Sequence, residues 1–438
     1  MSASPEASTV PSSSLSPTPW AIAVRLLVRW IDHQERADTL LETVPSTISR
    51  ADRGRVQHLF YGVLRHLGRI DAHLTRWVAR PPRTRLRAVL LVAGFELIEG
   101  GADGHVARVV HHAVEQAKTL ASPAEAKLVN AVVRKMAESI SLERPPGQLA
   151  SAEVLAEYFS HPVWMVKRWI GAFGLESTRA LLELHQRPAA LSARWRKPEV
   201  ALPPWLEATP IAGFYQIASG HWKEVEAELE AGHLYLQDPA TRHAVDLLDV
   251  SADETVLDAC AAPGGKALAI ADRMKTGRLV ALDLPGPRLN RLQANLARVQ
   301  GVETILVAAD LQVSLFRALQ DKGLPVQYSA VLIDVPCSNT GVMRHRVDVK
   351  WRLQEGDIFK HSRQQGALLR AAAALVAPGG RLVYSTCSLD SLENEHVVSS
   401  FLQGAGGGWK QEAAVISRPW ETGHDGAAAF RLRRAAVA

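Results

Sequence analysis

The chain has 438 residues and a mass of 47.7 kDa, of which 47% are hydrophobic and 22% charged. That balance excludes a chain disordered throughout, and the length excludes a single ordinary core. The longest apolar runs, such as Ala88–Phe95, are far shorter than the roughly 20 residues of a membrane-spanning helix, so no membrane partner is expected. The three cysteines, Cys260, Cys337 and Cys387, form an odd and sparse set. Such a set argues against a disulfide framework and for a reducing, cytoplasmic setting. Net charge is +5 with a pI near 9.1, and residues 1–150 hold 19 Lys and Arg against 14 Asp and Glu, so the whole excess lies there. Between Arg50 and Arg87 stand ten arginines, no lysine and two acids, Asp52 and Asp71. Planar guanidinium forks bind phosphates bidentately, so this bias points to nucleic acid; a solvated helix face is the plainer alternative.

Residues 1–19 are rich in Ser, Pro and Thr and lack Lys and Arg, which predicts a disordered tail and neither a secretory nor a transit leader. From Trp20 to about Ile140 the pattern is helical. Val56, Leu59, Phe60, Val63, Leu64 and Leu67 recur at three- and four-residue steps, as one buried helix face requires. Similar faces span Val24–Ile31, Leu86–Leu97, Val106–Ala117 and Ala126–Val133, separated by Pro81-Pro82, Gly100-Gly101 and Pro123. An all-α domain over 20–145 is expected, with Pro145-Pro146-Gly147 as linker. A mixed linking subdomain over 149–231 follows, with an amphipathic stretch at Val163–Phe173 and no clear period over Pro198–Pro210.

A third domain is expected over 232–438. Short apolar runs at Thr255–Ala259, Arg278–Asp283, Glu303–Ala308, Ser329–Asp334 and Arg381–Ser385 alternate with helical stretches at Lys266–Met274, Pro287–Val299 and Gln364–Val376. This alternation predicts an α/β, Rossmann-like parallel sheet covered by helices. Ligands of such sheets sit beyond the carboxyl ends of the strands.

The chemistry-bearing motifs fall at those ends. The segment Asp258-Ala-Cys-Ala-Ala-Pro-Gly-Gly-Lys266 follows a strand and opens a helix, so Cys260, Ala261, Ala262, Pro263, Gly264, Gly265 and Lys266 let backbone approach a ligand closely. A phosphate-binding P-loop requires Gly and Ser/Thr where Cys260 and Ala267 stand, and the dinucleotide glycine pattern is absent. Asp283 and Asp310, placed after successive strands, offer acceptors for a ribose diol. The set suits S-adenosyl-L-methionine; on spacing alone another nucleotide is the alternative.

Two more strand ends carry Asp334-Val-Pro-Cys337-Ser and Ser385-Thr-Cys387-Ser. Zinc is an unsuitable use of these thiols, since no Cys-x-x-Cys pair exists, and no metal is expected. Cytosine C5 is too weak a nucleophile to take a methyl group from a sulfonium. If a thiolate adds at C6, the ring becomes enamine-like and C5 can attack. A carboxyl group hydrogen-bonded at N3 would stabilise the developing charge, and a second group must then help release the enzyme. Two cysteines and one Asp supply this set, with no physical ground for choosing between the thiols.

These motifs, with Lys350-Trp351, resemble the RsmB (Fmu/Sun) family of RNA cytosine-C5 methyltransferases from about Trp20 onward. The helical region is similar to NusB-type RNA-binding domains through Leu59-Phe-Tyr-Gly-Val-Leu-Arg65 and Val129-Asn-Ala-Val-Val-Arg134, and Gln237-Asp238-Pro239 matches the family's lead-in. The resemblance implies C5-methylation of a cytosine in 16S rRNA with S-adenosyl-L-methionine as cofactor. It implies that Cys387 is the nucleophile and that Cys337 assists release. Asp334 would lie at base and cofactor, Cys260–Lys266 would wrap the cofactor, and Asp283 and Asp310 would hold its ribose and adenine side. A tRNA cytosine methyltransferase and a catalytically silent RNA-binding factor are the alternatives. The chain departs from the family pattern at Asn339, at Val347, in the alanines after Asp425-Gly426, and in a short segment between Arg194 and Phe214.

Overall fold

The computed structural model describes residues 18–313 and 315–436, and they divide into two compact units meeting at Val163/Trp164. The tail expected over 1–19 lies outside the described residues except for its last two. Thr18 caps the first helix, its Oγ1 accepting the Ala21 N–H at 3.2 Å, and Pro19 opens that helix. Both choices suit a helix start, where early N–H groups lack partners and proline has none to lose.

The first unit is helical throughout. Its main helices span Pro19–His33, Arg50–Thr75, Thr84–Glu99, His105–Leu120 and Pro123–Ser141, each containing one predicted apolar face. Val56, Leu59, Phe60, Val63 and Leu64 are fully buried. The arginine run does not form an open cationic comb. Arg55 pairs with Glu96, Arg69 with Glu143, Arg76 with Glu157, Arg83 with Glu125 and Arg87 with Asp71. Arg53 donates to the carbonyls of Val44 and Pro45.

The expected domain edges need correction. The helix Ala152–Tyr158 belongs to the first unit: it buries Leu155 and Ala156, and Ser160 Oγ beyond it accepts the Gly68 N–H at 2.7 Å. The rest of the 149–231 stretch belongs to the second unit. There a four-stranded antiparallel sheet has strands β1 (Ser192–Trp195), β2 (Leu206–Ala208), β3 (Phe214–Ile217) and β4 (Leu234–Leu236) in the order β2-β3-β1-β4. Because β1 pairs with both β3 and β4, the sheet is incomplete if cut at residue 231. Arg196 ties it to the larger domain through Asp272, with Nε and Nη2 each 2.9 Å from a carboxylate oxygen.

The second sheet has seven strands: β5 (Thr255–Ala259), β6 (Arg278–Asp283), β7 (Glu303–Ala308), β8 (Tyr328–Asp334), β9 (Val376–Thr386), β10 (Trp409–Ser417) and β11 (Ala427–Arg434). Their order is β10-β11-β9-β8-β5-β6-β7, with β5 to β9 parallel and β10 and β11 antiparallel. The chain order reverses beside β5, so the ligand crevice of such a sheet opens at the ends of β5 and β8. Leu257, Val280, Val331 and Leu382 fill its core with no exposure. The Pro378-Gly379-Gly380 turn lies within the span of β9, where pairing with β8 shifts register. No helix among the described residues is long and apolar enough to cross a membrane.

Candidate active site

Parallel pairing sets Asp334 directly opposite Ser385 and brings Asp258 and Asp283 to the same edge of the sheet. Lys266 reaches across from the following helix, its Nζ 2.6 Å from Asp334 Oδ2, while Ser385 Oγ donates to Oδ1 at 3.0 Å. Burial opposes the Lys266 charge, but Asp334 outweighs it and raises the lysine's pKa. Asp334 is therefore occupied as an acceptor on both oxygens.

The two thiols converge. Cys337 Sγ and Cys387 Sγ lie 3.1 Å apart, and Asn339 Oδ1 is 3.4 Å from the Cys387 sulfur. Asn339, one of the departures from the family pattern, also donates from Nδ2 to the Cys337 carbonyl at 2.7 Å. A smaller residue at that position has no amide to do this. The thiols titrate in opposite directions. Cys387 is lowered, first by the hydrogen bond from Cys337 and then by Lys266 and Arg346, against burial and Asp334. Cys337 is raised by giving that hydrogen bond and by burial.

Sequence reasoning missed what holds the two thiols in place. Glu393 is wholly buried and accepts the Ser338 N–H at 2.9 Å and the Gln365 amide at 2.9 Å, together with the hydroxyls of Ser338 and Ser388. Each serine follows one cysteine, so a single carboxylate fixes both loops. A lone Glu in Leu392-Glu393-Asn394 has no local pattern that would single it out.

The loop Cys260–Lys266 carries the features of a ligand cradle. Cys260 has φ +62° and Gly264 φ +109°, and a Cβ on Gly264 would stand 3.1 Å from Leu292 and 3.3 Å from Asn295. Asn295 Nδ2 donates to the Pro263 carbonyl at 2.8 Å. Burial pushes the Cys260 thiol well up, so it packs rather than reacts. Asp283 accepts the N–H groups of Ala262 and Leu284, both at 2.8 Å, one on each oxygen. Each oxygen keeps a lone pair for a diol. Asp310 sits two residues beyond β7, its Oδ1 accepting the Gln312 N–H at 2.8 Å. Below them Asp258 is fully buried, and neither carboxyl oxygen has a hydrogen-bond partner among the described residues. Burial, reinforced by Asp334, raises its pKa well above the usual range. Short-residue turn, diol acceptors and unused hydrogen-bonding capacity together fit S-adenosyl-L-methionine. A cleft of about 330 Å³ opens on Cys387 between Gln237, Asp238, Asn339, Arg346 and Asp425.

A Rossmann-like sheet with this cradle at its carboxyl edge defines the class of S-adenosyl-L-methionine-dependent methyltransferases. Residues 245–423 match the family described as 16S rRNA methyltransferase RsmB/F, and residues 19–138 match the NusB family. The chain is 30% identical over 403 residues to the probable ribosomal RNA small subunit methyltransferase B of Bacillus subtilis, covering 87% of each. It is 27% identical to ribosomal RNA small subunit methyltransferase B of Yersinia enterocolitica, covering 87% of this chain and 89% of that one. In fold it is similar to the crystal structure of PH0851, at TM-score 0.74 and 22% identity, over 96% of this chain and all of that one. A methyltransferase homolog protein from Pyrococcus horikoshii superposes at TM-score 0.54 and 22% identity, over 65% of this chain and 99% of that one. The chain belongs to the RsmB/F methyltransferase family, with an N-terminal NusB domain.

Proposed function

We propose that the chain methylates C5 of a cytosine in 16S rRNA, in the cytoplasm, through a covalent bond from Cys387 to C6. The observation that carries this reading is the pair of sulfurs 3.1 Å apart, one with a lowered and one with a raised pKa, beside the Lys266–Asp334 pair. The choice of rRNA rests on the relatives, which are named for the small-subunit RNA. The turn Cys260–Lys266 would hold the cofactor, with Asp283 on its ribose and Asp310 toward its adenine. When bound, S-adenosyl-L-methionine supplies an electrophilic methyl group.

The residues divide the work as follows. The Cys387 thiolate adds to C6, and C5 becomes nucleophilic. Asp334, already accepting from Lys266 and Ser385, is fitted to accept from the exocyclic amine of the base. After methylation the C5 proton is lost to a solvent base, the C6–S bond breaks, and sulfur leaves as thiolate. The Cys337 S–H donates a hydrogen bond to that departing sulfur. The helical unit would position RNA through its phosphates, and a target base in a loop or splayed strand is the form that this site can reach.

The thiol roles are tested by trapping. Cys387→Ala is expected to abolish both turnover and a denaturation-resistant RNA adduct, whereas Cys337→Ala accumulates the adduct. The reverse pattern overturns the assignment. Bisulfite mapping of RNA from a deletion strain tests the substrate: one 16S site is expected to lose its methyl group. Loss at a tRNA site with rRNA unchanged selects the tRNA alternative, and failure to bind S-adenosyl-L-methionine selects the silent factor.

A further inference from the structure

Beside the thiol cleft lies a second groove, of about 250 Å³, lined by Arg194, Arg196, Arg242 and Arg273 with a single acid, Asp272. Gln237 and Thr241 line both cavities, so groove and cleft adjoin within the second unit. The groove carries more positive charge than its acids neutralise. Arg196 holds both oxygens of Asp272, from Nε and Nη2 at 2.9 Å each, and Arg194 Nη1 contacts one of the same oxygens. Arg194 Nε donates to Gln237 Oε1 at 3.0 Å, but its Nη2 has no hydrogen-bond partner among the described residues, although Arg194 is only 9% exposed. Burial outweighs Asp272 and pulls the Arg194 pKa down, and the charges of Arg196 and Arg273 add to that pull. Nearer to solvent, Arg242 and Arg273 share Asp246: Arg242 Nε is 2.7 Å from Oδ2, and Arg273 Nη2 contacts Oδ1. Four guanidinium groups thus divide two carboxylates between them.

Such an arrangement has a definite preference for ligands. A buried cation short of acceptors costs stability, and a concave wall of one sign of charge concentrates ions of the other. Planar guanidinium forks match the oxygens of a phosphate. An RNA strand whose base is turned into the cleft on Cys387 brings phosphates with it, on both sides of that nucleotide. Taking a base out of its stack also loosens its backbone, so contacts to the flanking phosphates are needed to fix the register.

We infer that this groove seats an RNA backbone phosphate flanking the target nucleotide, with Arg242 and Arg273 as its donors and the Arg194–Arg196 pair as fixed charge behind them. The inference rests on the proposed function, in that RNA must enter the cleft on Cys387. It adds the side of the cleft on which the strand is held.

The test measures the affinity of the full chain for a single-stranded 16S rRNA fragment carrying the cytosine that bisulfite mapping identifies, over a range of salt concentrations. Arg242→Ala and Arg273→Ala are each expected to weaken binding about three- to tenfold and to reduce the salt slope by about one phosphate contact. Arg273→Lys keeps the charge and should keep the slope. Asp246→Asn removes the acid that engages both arginines, so binding is expected to tighten and the slope to steepen. Weaker binding in Asp246→Asn would make the cluster a structural one and overturn the inference. Fragments with one neutral methylphosphonate linkage then locate the contact. At one flank of the target nucleotide the neutral linkage should weaken binding by the wild type and cost Arg273→Ala nothing further. Additive losses at every linkage overturn the inference. Affinity needs no turnover, so a wild type that shows this coupling and leaves cytosine C5 unmethylated breaks the proposed function while the phosphate seat stands. A wild type that does not bind the fragment overturns both.

Discussion

Arg83 in the helical unit and Lys266 in the second unit are both cations paired with a carboxylate, in opposite settings. Arg83 and Glu125 meet where the arginine side chain is 55% exposed; Lys266, at 18%, meets Asp334 at the edge of a sheet. Water can replace Glu125 for Arg83 at little cost, whereas removing Lys266 leaves a carboxylate and a thiolate without their nearest cation. The contrast teaches that a charge count locates an electrostatic region, while packing decides whether the charge is available or fixed. The arginine run reads as a phosphate comb in sequence, yet much of it is engaged by acids of its own unit.

The largest effect is expected at the buried pair. Lys266→Gln should lower kcat/KM by about 10²- to 10³-fold and move the pH profile. In the proposed reaction Cys387 acts as thiolate, and its pKa is held below the ordinary thiol value by the Cys337 hydrogen bond first, with Lys266 and Arg346 adding to it. The rate therefore rises with pH through a depressed pKa. Removing the Lys266 charge must shift that limb to higher pH, and an unmoved limb would mean that the lysine does not tune the thiol.

Glu393→Ala comes next. Four donors lose a buried acceptor, so a loss of about 3–5 kcal/mol in urea unfolding is expected, with Asn394, Thr386 and Ser388 left to hold the loop. If stability were unchanged, the two cysteine loops would have another anchor. The smallest effects belong to the helical unit. Among the described residues no ion pair involves Arg80 or Arg85. Changing either to Ala should weaken RNA binding and reduce the slope of affinity against salt by about one phosphate contact each. Arg83→Ala should leave the melting temperature unmoved. An equal loss of RNA affinity for all three would erase the contrast between paired and unpaired arginines.

The sheet was legible wherever the signal was local. The strands at 255–259, 278–283 and 303–308 lie where β-branched and apolar runs end in Asp or Ala, and the motifs lie at their carboxyl ends. The helix expected at Gln364–Val376 begins instead at Glu355, because Gln354 and Asp357 form a capping box ahead of its apolar face. The β10–β11 hairpin was not legible: Ala428 and Ala429 carry little β propensity and are held by pairing with β9. Pro145-Pro146-Gly147 looked like a boundary, but tertiary burial of Leu155 carried the first unit past it. At the site the cysteines and Asp334 are visible as motifs. Glu393 and Asn339 are not, because their roles come from Ser338 and Gln365 in the one case and Cys387 in the other, 28 to 55 residues away in sequence.

Gly341 has a consequence of its own. Its amide and carbonyl join the backbones of Cys387 and Gly426, and a Cβ there would stand 2.6 Å from one and 2.7 Å from the other. The loop that carries Cys387 is thereby tied to the backbone just before β11 by main chain alone, like the fixed jaws of a gauge. Any side chain at position 341 would press on both carbonyls and force the jaws apart, breaking the bonds that hold them.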